Sequence, residues 1–307
     1  MASDSESDHF DESKTDFDHI GEPPLTSLFN HSRLKESITL KERILFYLYI
    51  PFGIILGTIR TFGSLVICMP LLTIFSLIDL EGFFWRTVGA VFNFRSRVTN
   101  PEALAPAKDA PILVCNHITD MDGIAFFPIL LTKNAIEVVT VYLKPLVDWA
   151  RRIRWRVICI TRETEQDRKH LTTEKIQETF DAPENANRRL FILAEGATTN
   201  GRVGLLRYNK FVFSLNRPVQ PLALRVNPHL PINVDCPSHN LLPNYFFQMF
   251  CPTFTFEYTA LPVQHKLEGE SSEDFATRVQ KITAEHLGLV PTTYSYKDKN
   301  KWKKVIR

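Results

Sequence analysis

Residues 44–78 read ILFYLYIPFGIILGTIRTFGSLVICMPLLTIFSLI, an apolar run of 35 residues broken by one charge, Arg60. As a single helix it would measure about 52 Å at 1.5 Å per residue, well beyond the roughly 30 Å hydrocarbon thickness of a bilayer. Up to Leu77, Arg60 divides it into arms of 16 and 17 residues, Ile44–Ile59 and Thr61–Leu77. Each arm falls near or just below the length needed to cross. Each also holds a proline, Pro51 or Pro70, and proline kinks or interrupts a helix. The pattern predicts a helical hairpin over 41–80 that enters one leaflet and returns at Arg60. Lys41 and Arg43 would lie in the headgroup region, where basic side chains are favoured. A core hairpin of a soluble domain normally shows a polar stripe, and this stretch has almost none. Such a hairpin leaves both termini in the cytosol.

Charge is unevenly spread around this run. Net charge over the 307 residues is +2, too small to imply nucleic acid as a partner. Residues 1–23 hold eight acids against Lys14, a net of −7, so the other 284 residues carry +9. Residues 1–40 therefore read as an acidic, disordered and solvated tail. The acidic start lacks the basic n-region of a signal peptide. The cysteines, Cys68, Cys115, Cys159, Cys236 and Cys251, show no metal-site spacing and no disulfide framework, which suits a reducing compartment and predicts no metal.

Beyond the run, Arg95–Ala107 carries charges and prolines and reads as a linker. From Asp109 short apolar stretches alternate with amphipathic ones. Pro111–Cys115, Ile136–Tyr142, Val157–Thr161, Arg189–Ala194 and Val219–Val226 read as strands. Asp122–Leu131, Leu146–Ile153 and Glu163–Phe180 read as helices. That alternation predicts an α/β domain, a central sheet flanked by helices. Residues 238–262 are rich in Phe, Tyr and Pro and match neither period. Ser271–Leu287 reads as a helix, with Ser271 and Asp274 as a capping pair and Gly288 as its stop. The basic stretch Lys297–Arg307 reads as a short solvated tail. The organisation expected is a tail (1–40), a membrane hairpin (41–80), an α/β domain (81–262) and a C-terminal amphipathic helix with a basic tail (263–307).

Two blocks carry chemistry. In Asn116-His117-Ile118-Thr119-Asp120-Met121-Asp122, His117 and Asp122 have the spacing H-x4-D at a strand-to-helix junction. A histidine base needs a partner that fixes its tautomer and stabilises its imidazolium, and an Asp one turn away supplies that. The second block is Phe191-Ile192-Leu193-Ala194-Glu195-Gly196-Ala197-Thr198-Thr199-Asn200-Gly201-Arg202. Here a buried strand ends in Glu-Gly, hydroxyls and an Arg, a pattern in which glycine lets a ligand approach the backbone and arginine binds phosphate. Cys159-Ile160-Thr161-Arg162 and Pro218–Val226 add a strand ending in Arg and a proline block.

NHITDMD, ICITR, FILAEGATTNGR and RPVQPLALRV resemble, in order and rough spacing, the four blocks of the glycerolipid (lysophosphatidate-type) acyltransferases. The apolar run, ATTNGRVGLLRY and EDFATRVQKITAEHLGLVPTTYSYKDK resemble more narrowly the ancient ubiquitous protein 1 family, monotopic proteins of the endoplasmic reticulum and lipid droplets. Together the resemblances cover nearly everything after about residue 40. They imply a glycerolipid acyltransferase domain in which His117 is the general base and Asp122 orients it. They imply that Arg162, Glu195 and Gly196 bind the acceptor, with Thr198, Asn200, Arg202 and Lys210 beside them, and that Pro221 is structural. Acyl-CoA would be a co-substrate, with no cofactor and no metal. Membrane lipid would be a partner. Animal members continue into a CUE ubiquitin-binding domain; this sequence reaches Arg307 near where that would begin, so direct ubiquitin recruitment is not expected of it. Glu195-Gly196 is the enzyme-like form where some members have Glu-Glu, whereas Ala197 and Thr161 depart from the acyltransferase pattern. Two readings stay open: an acyl-CoA-dependent lysophospholipid or glycerol-phosphate acyltransferase, and a non-catalytic lipid-droplet adaptor that keeps the fold and works with ER quality-control proteins.

Overall fold

Strands made of apolar residues on both faces need cover on both faces, and this sheet has it. The structure is a computed structural model that describes residue 19 and residues 21–92, 94–130, 134–140, 156–160, 177–178, 180–238 and 241–305. Among these, the main sheet comprises β1 (Phe94–Val98), β2 (Ile112–Cys115), β3 (Ala135–Thr140), β4 (Arg156–Ile160), β5 (Arg189–Leu193), β7 (Val219–Pro228) and β8 (Phe254–Ala260). Its order is β1-β8-β7-β2-β5-β3-β4, parallel at each junction except the antiparallel β7–β8 pair. Strand β6 (Gly204–Leu205) pairs with β9 (Val290–Pro291) in a small separate ladder.

Alternate residues of the central strands feed two cores. Ile112, Val114, Leu190 and Ile192 face a cluster with Phe275 and Val279 of α6 (Ser272–Leu287). Leu113, Cys115 and Phe191 face a second, with Ala125 and Phe126 of α4 (Asp122–Phe126) and Phe250 of α5 (Leu241–Phe250). The α/β expectation holds. Helix α6 starts at Ser271, whose Oγ accepts the Asp274 N–H at 3.1 Å, and stops at Gly288.

The apolar run does not return at Arg60. Helix α1 (Leu40–Phe62), started by a Thr39–Glu42 capping box, passes into a π-helical stretch (Gly63–Cys68) and then α2 (Met69–Leu77). The three are continuous because Gly63 is itself helical (φ −58°, ψ −40°). Pro70 lies in the first turn of α2, while Pro51 is inside α1 with its side chain exposed. The reversal comes at Asp79, whose φ is 59°. There the Leu80 N–H reaches the Phe75 carbonyl at 2.8 Å and the Asp79 N–H that of Ser76 at 3.4 Å, the bonding of a left-handed helix stop. Helix α3 (Glu81–Phe92) then runs back towards β1, so the hairpin is made by α2 and α3.

Arg60 stays inside the helix because it has partners outside the apolar run. The residue is 9% exposed, and its guanidinium donates to the carbonyls of Met249 (3.4 Å), Cys251 (2.7 Å) and Pro252 (3.5 Å) at the end of α5. Those carbonyls lack intrahelical donors, and a cation there also complements the helix dipole. Along the same seam Gly53 and Gly57 face the rings of Phe250 and Phe246; a Cβ on Gly57 would sit 3.1 Å from the Phe246 ring. The opposite face exposes Ile44, Leu48, Ile55, Ile59 and Phe62. Leu40–Cys68 is long and apolar enough to cross a membrane by length and composition, and its most apolar window is only 18% buried.

Four further expectations change. The proposed linker 95–107 begins with β1, an edge strand whose Arg97 pairs with Glu257 across the ladder; its exposed charges hid its period of two. Within residues 238–262, Leu241–Phe250 form α5 and Phe254–Ala260 form β8. The solvated tail ends earlier than residue 40, because Leu25, Leu28 and Phe29 are buried with Leu206, Tyr294 and Trp302. The basic stretch 297–307 is largely α7 (Tyr296–Val305), with Trp302 stacked on Phe29 at 4.9 Å.

Candidate active site

The carboxyl ends of β2 and β5 lie side by side with β7 running on past them, and such strand ends are where open α/β sheets place their ligands. From β2 the chain leaves through Asn116, buried and bonded both ways to Leu224 of β7: its Nδ2 donates to the Leu224 carbonyl at 3.1 Å and its Oδ1 accepts the Leu224 N–H at 2.7 Å. His117 follows. Its Nδ1 lies 3.0 Å from Asp122 Oδ2. Asp122 is fully buried at the start of α4, and that oxygen also accepts the N–H groups of Ile118 (2.6 Å) and Thr119 (2.9 Å). Its Oδ1 accepts the Thr119 hydroxyl at 2.8 Å. A fully ligated carboxylate of this kind cannot swing away from the ring. It favours the tautomer with the proton on Nδ1, leaving Nε2 as the basic nitrogen.

The loop after β5 grips the backbone of the same histidine. Glu195 Oε1 accepts the His117 N–H at 2.7 Å, and its Oε2 accepts the Leu206 N–H at 2.8 Å. The Thr199 N–H donates to the His117 carbonyl at 2.8 Å. Gly196 turns the loop with φ +67°, a conformation costly for residues with a side chain. Glu195 is fully buried, and burial pushes its pKa from 4.5 to about 8 against the bonds from His117 and Leu206 and the charges of His117 and Lys299. Burial works to lower the His117 pKa, but the hydrogen bond and charge of Asp122, with Asp120 and Glu195 behind, outweigh it and raise the pKa above 6.5.

Of the residues expected from sequence, the structure brings together His117, Asp122, Glu195, Gly196 and Thr198. The Thr198 hydroxyl donates to buried Asp235 at 2.5 Å. Asn200 and Arg202 hold protein as well as lining space. Asn200 Nδ2 donates to the Ser27 carbonyl at 2.7 Å, and Arg202 donates to Asn30 (2.7 Å) and Asn233 (3.0 Å). Lys210 is not part of this group: it is exposed and pairs with Glu273 at 3.6 Å. Arg162 lies outside the described residues, as do the helix expected over 146–153 and most of that over 163–180. Pro51, Arg60 and Pro70 belong to the α1–α2 run.

Beside the histidine loop is a cavity of about 220 Å³ lined by Lys35, Arg202, Arg225, Asn30, Asn233 and Ile118 among others. Among the described residues Lys35 and Arg202 line it with no carboxylate, so it suits an anion, while the Arg225 guanidinium turns to the Leu287 carbonyl at 3.1 Å. No group of three or more His, Cys, Asp or Glu among the described residues is arranged to hold a metal ion. Sequence reasoning missed Lys35, Arg225, Asp235 and Lys299. For Lys299 a signal existed: Ser295 and Asp298 have capping-box spacing, and Lys299 and Trp302 share one face of the helix they start.

No model of a protein family matches the chain. It is 31% identical over 266 residues to the lipid droplet-regulating VLDL assembly factor AUP1 of Xenopus laevis, covering 85% of this chain and 61% of that protein. It is 26% identical over 273 residues to the protein of the same name from Homo sapiens, covering 89% and 62%. Lysophosphatidylcholine acyltransferase 2 of Rattus norvegicus is 30% identical over 219 residues, covering 67% of this chain and 38% of that one. The chain thus spans about three-fifths of the length of the AUP1 proteins of these vertebrates. Among solved structures, the 1-acyl-sn-glycerophosphate acyltransferase PlsC of Thermotoga maritima aligns with 81% of this chain and 94% of its own at 14% identity and a TM-score of 0.44.

Proposed function

The chain is a homologue of the AUP1 proteins, and from that premise we propose that it is a membrane-bound acyltransferase of the endoplasmic reticulum and lipid droplets. It would move an acyl group from acyl-CoA to a hydroxyl of a lysophospholipid or glycerol phosphate. The observation that carries this reading is the His117–Asp122 pair, 3.0 Å apart with Asp122 fully buried. A histidine oriented by a carboxylate that cannot move is the arrangement a general base requires.

In this reading His117 Nε2 takes the proton of the acceptor hydroxyl as its oxygen attacks the thioester carbonyl carbon. Asp122 stabilises the imidazolium that forms. The tetrahedral intermediate collapses with breakage of the C–S bond, and the coenzyme A thiolate leaves and takes the proton from His117. The cationic cavity at Lys35 and Arg202 would hold a phosphate of the substrate. The exposed apolar face of α1 would rest in one leaflet with both termini cytosolic, so that both acyl chains stay within or beside the membrane.

The second reading is an adaptor in lipid-droplet regulation and ER-associated degradation that keeps the fold without turnover. The relatives named as lipid-droplet regulators favour it. Acyl transfer by the detergent-solubilised protein separates the two. Labelled acyl-CoA is offered with a panel of lysophospholipids and glycerol 3-phosphate, with His117→Ala alongside. Turnover lost in the variant is the expected result. A folded wild-type protein inactive across the panel would leave the adaptor reading.

A further inference from the structure

We infer that Lys299, on the C-terminal helix α7, is a positioning residue for His117: it fastens the Glu195–Arg202 loop, and that loop holds the His117 backbone. The consequence for turnover rests on the acyl-transfer reading; the mechanical link does not.

A lysine in a protein interior needs partners, and Lys299 is 5% exposed. Its Nζ donates to the Thr198 carbonyl at 2.5 Å and to the Thr198 hydroxyl at 2.6 Å. It lies 4.8 Å from the centroid of the Phe29 ring, whose face favours a cation. The Thr198 hydroxyl in turn donates a hydrogen bond to Asp235. Asp235 is fixed in turn: its Oδ1 accepts Asn244 Nδ2 at 2.7 Å and its backbone carbonyl accepts Asn30 Nδ2 at 2.7 Å. Lys299 therefore ties α7, the N-terminal segment, the loop after β7 and the loop after β5 at one point.

That point is one residue from the Thr199 N–H that holds the His117 carbonyl, and three from Glu195, which holds the His117 N–H. The ammonium also acts at a distance. The charged groups that face it are Asp235, Asp120 and Glu195, with Lys303 on its own helix. Around Glu195 those facing are His117 and Lys299, both of which favour its ionised form. Burial pushes the Lys299 pKa down and Asp235 opposes this, so the charge is kept at a cost that a purely apolar filler would avoid.

The test uses the full chain carrying Lys299→Met or Lys299→Arg, read by amide hydrogen exchange and by acyl transfer. In Lys299→Met, exchange across 196–202 and at His117 and Leu206 is expected to accelerate about tenfold or more, while the β2 and β5 strands keep their protection. Turnover falls about tenfold with KM little changed, and Lys299→Arg restores part of both. Unchanged loop exchange in Lys299→Met overturns the inference. If that variant does not fold, Thr198→Val decides, since it removes the hydroxyl bridging Lys299 and Asp235; exchange as in the wild type again overturns it. A wild-type protein without acyl transfer sinks the catalytic reading alone, and the exchange data still decide the link.

Discussion

Glu195 and His117 meet through the histidine backbone: Glu195 Oε1 accepts the His117 N–H at 2.7 Å, while the imidazole turns to Asp122. The two carboxylates thus divide the work. Asp122 sets the ring, and Glu195 sets the chain that carries the ring.

Because Glu195 holds a proton more readily when folded, stability should depend on pH. Its folded pKa of about 8 lies above the ordinary 4.5, so the stabilisation is fully present below 4.5 and is lost as pH rises through about 8. The raised His117 acts in the same sense above 6.5. The unfolding free energy should therefore fall between pH 5 and 8, by up to about 1.4 kcal/mol per pH unit for each of the two groups, and thermal midpoints should fall with it. Glu195→Gln flattens that slope; an equal slope in both proteins contradicts the assignment.

Asp122→Asn should act on rate and on pH together. With Asp122 present the His117 pKa is raised, so the acid limb of kcat/KM lies above 6.5. Without that charge burial prevails and the limb moves to lower pH. Turnover falls on the order of 10³–10⁴-fold, as for a base left in the wrong tautomer. Initial rates from pH 5 to 9 read both effects.

The cationic cavity predicts selectivity. Lys35→Glu paired with Arg202→Gln should raise KM for a phosphate-bearing acceptor about tenfold or more and leave kcat less affected. Equal losses for phosphate-bearing and neutral acceptors would remove the cavity from the binding site.

The α1–α5 seam predicts stability. Gly57→Leu drives a side chain into Phe246 and the Phe250 backbone and should cost about 1–3 kcal/mol. Arg60→Met strips donors from three carbonyls and should cost a similar amount. Melting in detergent micelles measures both, and a Gly57→Leu protein as stable as the wild type would mean that the seam is loose.

Sequence made the central strands and the His117–Asp122 pair legible for a local reason. β2 and β5 are short, apolar and bounded by turn residues, and the base and its partner are five positions apart on one strand-to-helix junction. What escaped was held by distant contacts. Arg60 read as a break in an apolar run because its partners, the carbonyls near Cys251, are 191 positions away. Lys299 read as part of a solvated tail because only tertiary packing joins it to Thr198, 101 positions back. β1 read as a linker because its charges face water and its ion-pair partner is on β8.

A catalytic domain joined to a bilayer by a flexible leash tumbles and meets its substrate at every angle. Here Gly53, Gly57 and Arg60 close the apolar helix α1 directly onto α5, whose Phe250 belongs to the same core as β2. With α1 resting in a leaflet, the domain loses its rotational freedom about that helix. In the proposed reading His117 would then keep one fixed heading relative to the leaflet, and acceptors diffusing laterally would meet it at one constant angle.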